Sequence, residues 1–192
     1  MKKFLIGGLV TVVTLILIVV VVGLFLPNDF RVARTVTVNA TADTIHPYVN
    51  DLNQWNQWEP WTKVDPTIVT TLGNQAVGVG ANHSWVGQES GSGSLVITQS
   101  SPDSGVTFDV TIDEHGSTSQ AAIIYASSGD TTEVTWQMTG KIDVPVIGGY
   151  LCMMMDGQVG HCFEYGLDRL KTISESSGTT TPTSAQSASL PE

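Results

Sequence analysis

The pattern of apolar and polar positions divides the chain into three unlike stretches. From Phe4 to Leu26 every residue is apolar apart from Thr11, Thr14 and three glycines, and no charge interrupts the run. A helix over this stretch reaches roughly 34 Å at about 1.5 Å per residue, enough to cross a hydrocarbon core of about 30 Å. The β-branched run Val19 to Val22 is mediocre helix in water, but in lipid every backbone group must be bonded internally. The stretch is too long for the core of a secretion signal, and Gly23-Leu-Phe-Leu-Pro27 lacks a small-x-small cleavage pattern, so an uncleaved anchor over residues 1–27 is predicted.

The second stretch, residues 28–174, alternates. Val32, Arg34, Val36 and Val38 oppose Arg31, Ala33, Thr35 and Thr37, which predicts a strand over Arg31 to Val38. Thr41 offers an N-cap and Asp43 a favourable first-turn charge for a short helix to about Asp51, which Pro47 should kink or shorten. Trp55, Trp58 and Trp61 follow at steps of three and would share one face of a helical or 3₁₀ segment. Six further strands are predicted near 67–72, 81–86, 94–99, 106–112, 120–126 and 133–142, separated by glycine-, proline- and asparagine-containing turns. Val106, Phe108, Val110 and Ile112 face one way, and Thr107, Asp109, Thr111 and Asp113 the other. Val134, Trp136 and Met138 oppose Thr135, Gln137 and Thr139 in the same manner, the signature of an antiparallel sheet covered on one face.

Leu151, Met155, Val159, Cys162, Phe163, Gly166, Leu170 and Ile173 recur at steps of three and four, predicting an amphipathic helix from about Gly148 to Ser174. Its amino half holds Met153 to Met155, Gly157 and Gly160, small or soft residues suited to close packing or to an internal space. The order is strand, short helices, six strands and long helix. It fits an α+β fold in which one curved antiparallel sheet wraps the C-terminal helix, preceded by the spanning helix. Residues 175–192 are mostly Ser, Thr, Pro and Ala with little large apolar surface, and are predicted to be a disordered tail.

Charge narrows the partners. All 18 acidic residues follow the apolar helix, against six of the eight basic ones, a balance of −12. Nucleic acid is excluded as a partner, and so is a domain lying flat on anionic lipid. Lys2 and Lys3 precede the helix and favour a cytoplasmic amino end with the domain outside, periplasmic or at the cell surface. Arg31 and Arg34 just beyond the helix weaken that asymmetry.

Candidate chemistry is sparse. Cys152 and Cys162 on one helix would stand about 15 Å apart, beyond disulfide reach, and read as small apolar residues. His46, His83, His115 and His161 share no metal-ligand spacing, and neither a metal nor a cofactor is expected. His83 shares a strand face with Trp85 and is the one weak candidate for a general base. Asp113-Glu114 reads as a solvated corner, and Ser90 to Ser94 lacks the strand-to-helix setting of a nucleophile elbow. Trp55, Trp58, Trp61, Trp85, Phe108, Tyr125, Trp136, Met138, Met154 and Met155 would supply core and pocket walls, and all but Trp55 are assigned to a binding cavity.

The segments Asp29 to Val38, Tyr48 to Trp61, Gly78-Val-Gly80 with Ser84-Trp85, Thr131 to Gly140 and Gly160 to Lys171 carry a resemblance. Together they resemble the START-like superfamily of helix-grip domains, in its polyketide cyclase/dehydrase branch, and within it the membrane-anchored bacterial members. The resemblance implies a cavity between concave sheet and long helix, suited to an apolar ligand. Three functions are consistent with it: binding of a lipid or other hydrophobic small molecule at a membrane, a protein-interaction module with a filled core, or a cyclase-, dehydrase- or hydrolase-type enzyme on a hydrophobic substrate.

Overall fold

In the computed structural model, residues 2–113 and 117–178 are described. His115, and the tail beyond Gly178, lie outside them. Helix α1 (Lys2–Phe25) leads directly into strand β1 (Asp29–Val38). Then come α2 (Ala42–Asn50), a 3₁₀ turn (Trp55–Gln57) and the short α3 (Trp61–Val64). Strands β2 (Val69–Leu72), β3 (Asn82–Gly87), β4 (Gly91–Ser101), β5 (Gly105–Ile112), β6 (Ser117–Ser128) and β7 (Thr131–Lys141) follow, and α4 (Gly148–Gly178) ends the described chain.

The strands form one antiparallel sheet in the order β1-β7-β6-β5-β4-β3-β2. Strands β2 to β7 are a meander, and β1 closes its far side against β7, with Val32 opposite Met138 and Arg34 opposite Trp136. A register shift between Ile97 and Gln99 marks a bulge in β4, a device that bends a strand. The concave face cradles α4, so the fold is the helix-grip arrangement. Val32, Ile97, Ile123, Phe163, Leu167 and Leu170 are almost wholly buried between sheet and helix.

Two sequence expectations change in detail. The three tryptophans do not share one helical segment: Pro60 interposes as N-cap of α3, so Trp55 and Trp58 flank the 3₁₀ turn while Trp61 opens the next helix. The long helix also runs to Gly178, past the expected end at Ser174. The boundary placed between 174 and 175 therefore falls inside α4. Ser174 is buried, Glu175 accepts from Asn39, and the Tyr48 hydroxyl lies 2.6 Å from Ser177 Oγ.

Hydrogen bonds in both directions fasten α4. Arg34 points inward from β1, donating to Glu164 at 2.7 Å and to Asp156 at 2.9 Å. Gly160 makes this possible, because a Cβ there would strike the Arg34 guanidinium. Further along, the Lys171 ammonium donates to Thr37 O at 2.7 Å and Arg169 Nε to Gln57 O at 2.9 Å. At the other end of α4, the Tyr150 hydroxyl donates to Val19 O of α1 at 2.9 Å.

A candidate ligand-binding cavity

Alternation puts every second residue of each strand on the concave face, and α4 does not fill the space above all of them. The gap is a cavity of about 1320 Å³. Its floor comes from Phe30 of β1, Trp136 and Met138 of β7, Ala121 of β6, Phe108 and Val110 of β5, Leu95 of β4, and His83 and Trp85 of β3. Leu151, Met154, Met155, Val159 and Phe163 of α4 form the roof. Leu52, Trp55, Trp61, Val64 and Ile68 close the side beyond β2. A volume above the usual 300–1,000 Å³ for small-molecule sites suits a long or bulky apolar ligand.

The aromatic wall is tightly set. Trp136 stacks on Phe163 with ring centroids 4.2 Å apart and planes 8° from parallel. Trp61 meets Trp136 edge-on at 6.5 Å, and Trp55 meets Phe108 edge-on at 5.3 Å. The Trp85 ring lies across the strand onto Gly93, where any Cβ would collide with it.

Of the nine residues expected at the cavity, Trp61, Trp85, Phe108, Trp136, Met138, Met154 and Met155 line it. Trp58 and Tyr125 do not. Trp58 is fully buried behind Trp136, its indole Nε1 donating to Tyr48 O at 2.9 Å. Tyr125 is buried toward the other end of the sheet, edge-on to His46 at 6.0 Å, and burial pushes its phenol pKa up. Both are core residues: α2 and the tryptophan turn cover that end, leaving no gap above them. Trp55, set aside at the sequence level, lines the cavity and stands edge-on to His83 at 5.9 Å.

His83 faces the cavity. Among the described residues its contacts are ring contacts, with Trp55 and with Trp85 at 6.1 Å. Burial lowers its pKa from the ordinary value, so the ring is neutral at pH 7 and offers one donor and one acceptor nitrogen. Among the described residues, no carboxylate or hydroxyl is hydrogen-bonded to it to orient a base or to be activated. Further polar lining comes from Asn53, Asn56 and Glu59, from Thr62 and Thr70, from Glu89 and Ser90, from Ser119 and Gln158, and from Lys141 and Asp143, which pair at 2.8 Å. Among the described residues, no three His, Cys, Asp or Glu side chains come together as a metal site.

A second polar cluster escaped the sequence reading. Ser100 Oγ donates to Asn50 Oδ1 at 2.5 Å and lies 3.3 Å from His46 Nε2. The cluster ties α2 to β4, beside a cleft of only about 230 Å³.

Comparison with known proteins places this geometry. Residues 29–175 match the family described as polyketide cyclase / dehydrase and lipid transport. The chain belongs to that family. No curated protein matches it in sequence. Among solved structures, a norcoclaurine synthase of Thalictrum, a point mutant in complex with a transition-state analogue, is similar at a TM-score of 0.59 and 10% identity. That match covers 79% of this chain and 97% of the synthase. A Staphylococcus aureus protein of unknown function aligns at 0.57 and 10% identity, over 78% and 97% of the two chains. A Thermobifida fusca protein aligns at 0.56 and 15%, over 75% and 92%. These likenesses show the helix-grip fold. Ahead of the matched residues lies an N-terminal helix, apolar over Ile6–Phe25 with a mean hydropathy of 3.0, long enough to cross a membrane.

Proposed function

We propose that the domain binds a hydrophobic small molecule, a lipid or lipid-like amphiphile, in the cavity between sheet and α4, while α1 tethers it to a membrane. One observation carries this reading: an open cavity of about 1320 Å³ walled by aromatic, methionine and aliphatic side chains. A protein-interaction module with a filled core fits that volume poorly. The linker between α1 and β1 is only residues 26–28, too short for the domain to travel. Capture, presentation or sensing at one membrane face therefore fits better than transport over a distance. Lys2 and Lys3 favour an amino end in the cytoplasm and a domain outside it. Arg34 is engaged by two carboxylates, which weakens its opposition to that topology.

The enzymatic reading keeps one support, the neutral His83 ring in the wall, and lacks a partner for it. A titration tests binding. The full chain in detergent is exposed to long-chain lipids delivered from cyclodextrin while tryptophan emission is followed, since Trp55, Trp61, Trp85 and Trp136 line the wall. Saturable change near one lipid per chain is expected. Absence of any saturable change with every lipid class would overturn the reading.

A further inference from the structure

The sheet register shows which end of the cavity faces α1. Three residues separate Phe25 from the start of β1, and Asp29 pairs with Lys141 at the end of β7. Through the antiparallel ladder the same end carries Ile112 of β5, Gly91 of β4, Gly87 of β3 and Val69 of β2.

The first turns of α4 lie against α1 rather than above it. Tyr150 Oη reaches Val19 O, six residues before the helix end and so about 9 Å down its axis. Gly23 lies against Val146 O and Gly149 against Leu26, both so closely that neither could carry a side chain. Whatever surrounds the last two turns of α1 therefore surrounds the start of α4. Apolar side chains at that start stand half or more exposed, Ile147 at 54% and Met153 at 68%, beside Phe25 at 86%. Leu151 and Met154, also exposed, turn to the cavity and form its rim.

We propose that this end of the domain is sunk into the bilayer surface, so that the cavity opens into the leaflet and ligand passes laterally between lipid and cavity. The proposal rests on α1 spanning the membrane and on the cavity being a ligand site. Its occupant is bilayer lipid, because the exposed face is continuous with the spanning helix. The charges lining the cavity narrow the class. Glu59, Glu89 and Asp143 stand against Lys141 alone, which disfavours an anionic headgroup and favours an uncharged or zwitterionic lipid. The buried contact is then the apolar start of α4, while the exposed Asp29, Glu89, Lys141 and Asp143 at the same end stand at the level of the headgroups.

The test uses the full chain, Cys152→Ala and Cys162→Ala, reconstituted in phosphatidylcholine vesicles. A nitroxide at Met153→Cys should be relaxed by oxygen and shielded from a water-soluble nickel complex; one at Ser128→Cys, at the opposite end of the sheet, should show the reverse. Aqueous exposure at 153 would overturn the proposal. Independently, Ile147→Glu with Met153→Glu should slow uptake of a fluorescent phosphatidylcholine from vesicles by about tenfold or more, since carboxylates at that depth are costly. Uptake from cyclodextrin should be unchanged, because neither residue lines the cavity. Equal vesicle rates for variant and parent would refute the portal and leave binding standing. No uptake by either route in the parent would instead refute the ligand site itself.

Discussion

Gly157 and Gly166 lie on the same helix and receive opposite predictions. A Cβ at Gly157 would meet nothing within 4 Å, whereas at Gly166 it would come within 2.7 Å of Trp136 Cζ3. Alanine in place of an interior helical glycine gains about 1 kcal/mol. Nothing opposes that gain at 157, so Gly157→Ala should stabilise by roughly 0.5–1 kcal/mol. At 166 the gain is set against overpacking of about 1–3 kcal/mol. The indole has little room to retreat: Phe163 stacks on one face at 4.2 Å, while Trp58 and Trp61 abut it at 5.4 and 6.5 Å. Gly166→Ala should therefore destabilise, by up to about 2 kcal/mol. For a folded region of this size the two melting temperatures should separate by about 5 °C or more. Circular dichroism of the full chain in detergent reads the difference. With Trp136→Leu in the background, Gly166→Ala should become stabilising. If Gly166→Ala melts at or above the parent, or stays destabilising once the indole is gone, the packing argument fails.

Three further outcomes follow from named contacts. Gly160→Ala should expel the Arg34 guanidinium from between Asp156 and Glu164 and speed amide exchange in the amino half of α4; in an Arg34→Ala background the same change should be neutral or stabilising. Buried Asp65 accepts from Thr67, Glu89 and Ser90, which hold its carboxyl well below the usual range. Its stabilisation is present above the ordinary carboxylate pKa and is lost as pH falls below about 4, so urea midpoints at pH 6 and pH 3 should differ less in Asp65→Asn than in the parent. Burial lowers the His83 pKa, so below about pH 6.5 the unfolded chain binds the extra proton first and stability falls with pH. His83→Gln should remove part of that slope; the rest belongs in part to His46, whose pKa burial also lowers. An imidazole titrating above 6.5 by NMR would contradict it.

Much of the architecture was legible because two periodicities carry it. Period-two alternation in 106–112 and 133–142 marked both the strands and their inner faces, and three- and four-residue steps from Leu151 to Ile173 marked the gripping helix. The same patterns could not separate wall from core. Trp58 and Trp61 are spaced alike in sequence, yet Pro60 starts a new helix between them and leaves only Trp61 at the gap. Tyr125 and Ala121 share the inner face of β6, but only Ala121 lies under the open space. An alternating pattern reports which way a side chain points and says nothing of how far off the opposing layer lies. Arg34 shows the converse. The alternation placed it on one face with Val32, Val36 and Val38, and only Gly160 across the gap explains how a guanidinium fits there. Docking of α4 on α1 was equally silent, since it depends on Tyr150, Gly23 and Gly149, residues with no shared period.

Whether the cavity holds a ligand decides the function. Native mass spectrometry of the full chain, released from nanodiscs made directly from host membranes, measures this. It should show one lipid-sized apolar adduct per chain, lost or sharply reduced in Ala121→Trp and in Ser119→Phe, which build into the cavity from its floor. A bare parent chain, or an adduct retained in full by both folded variants, would contradict the account.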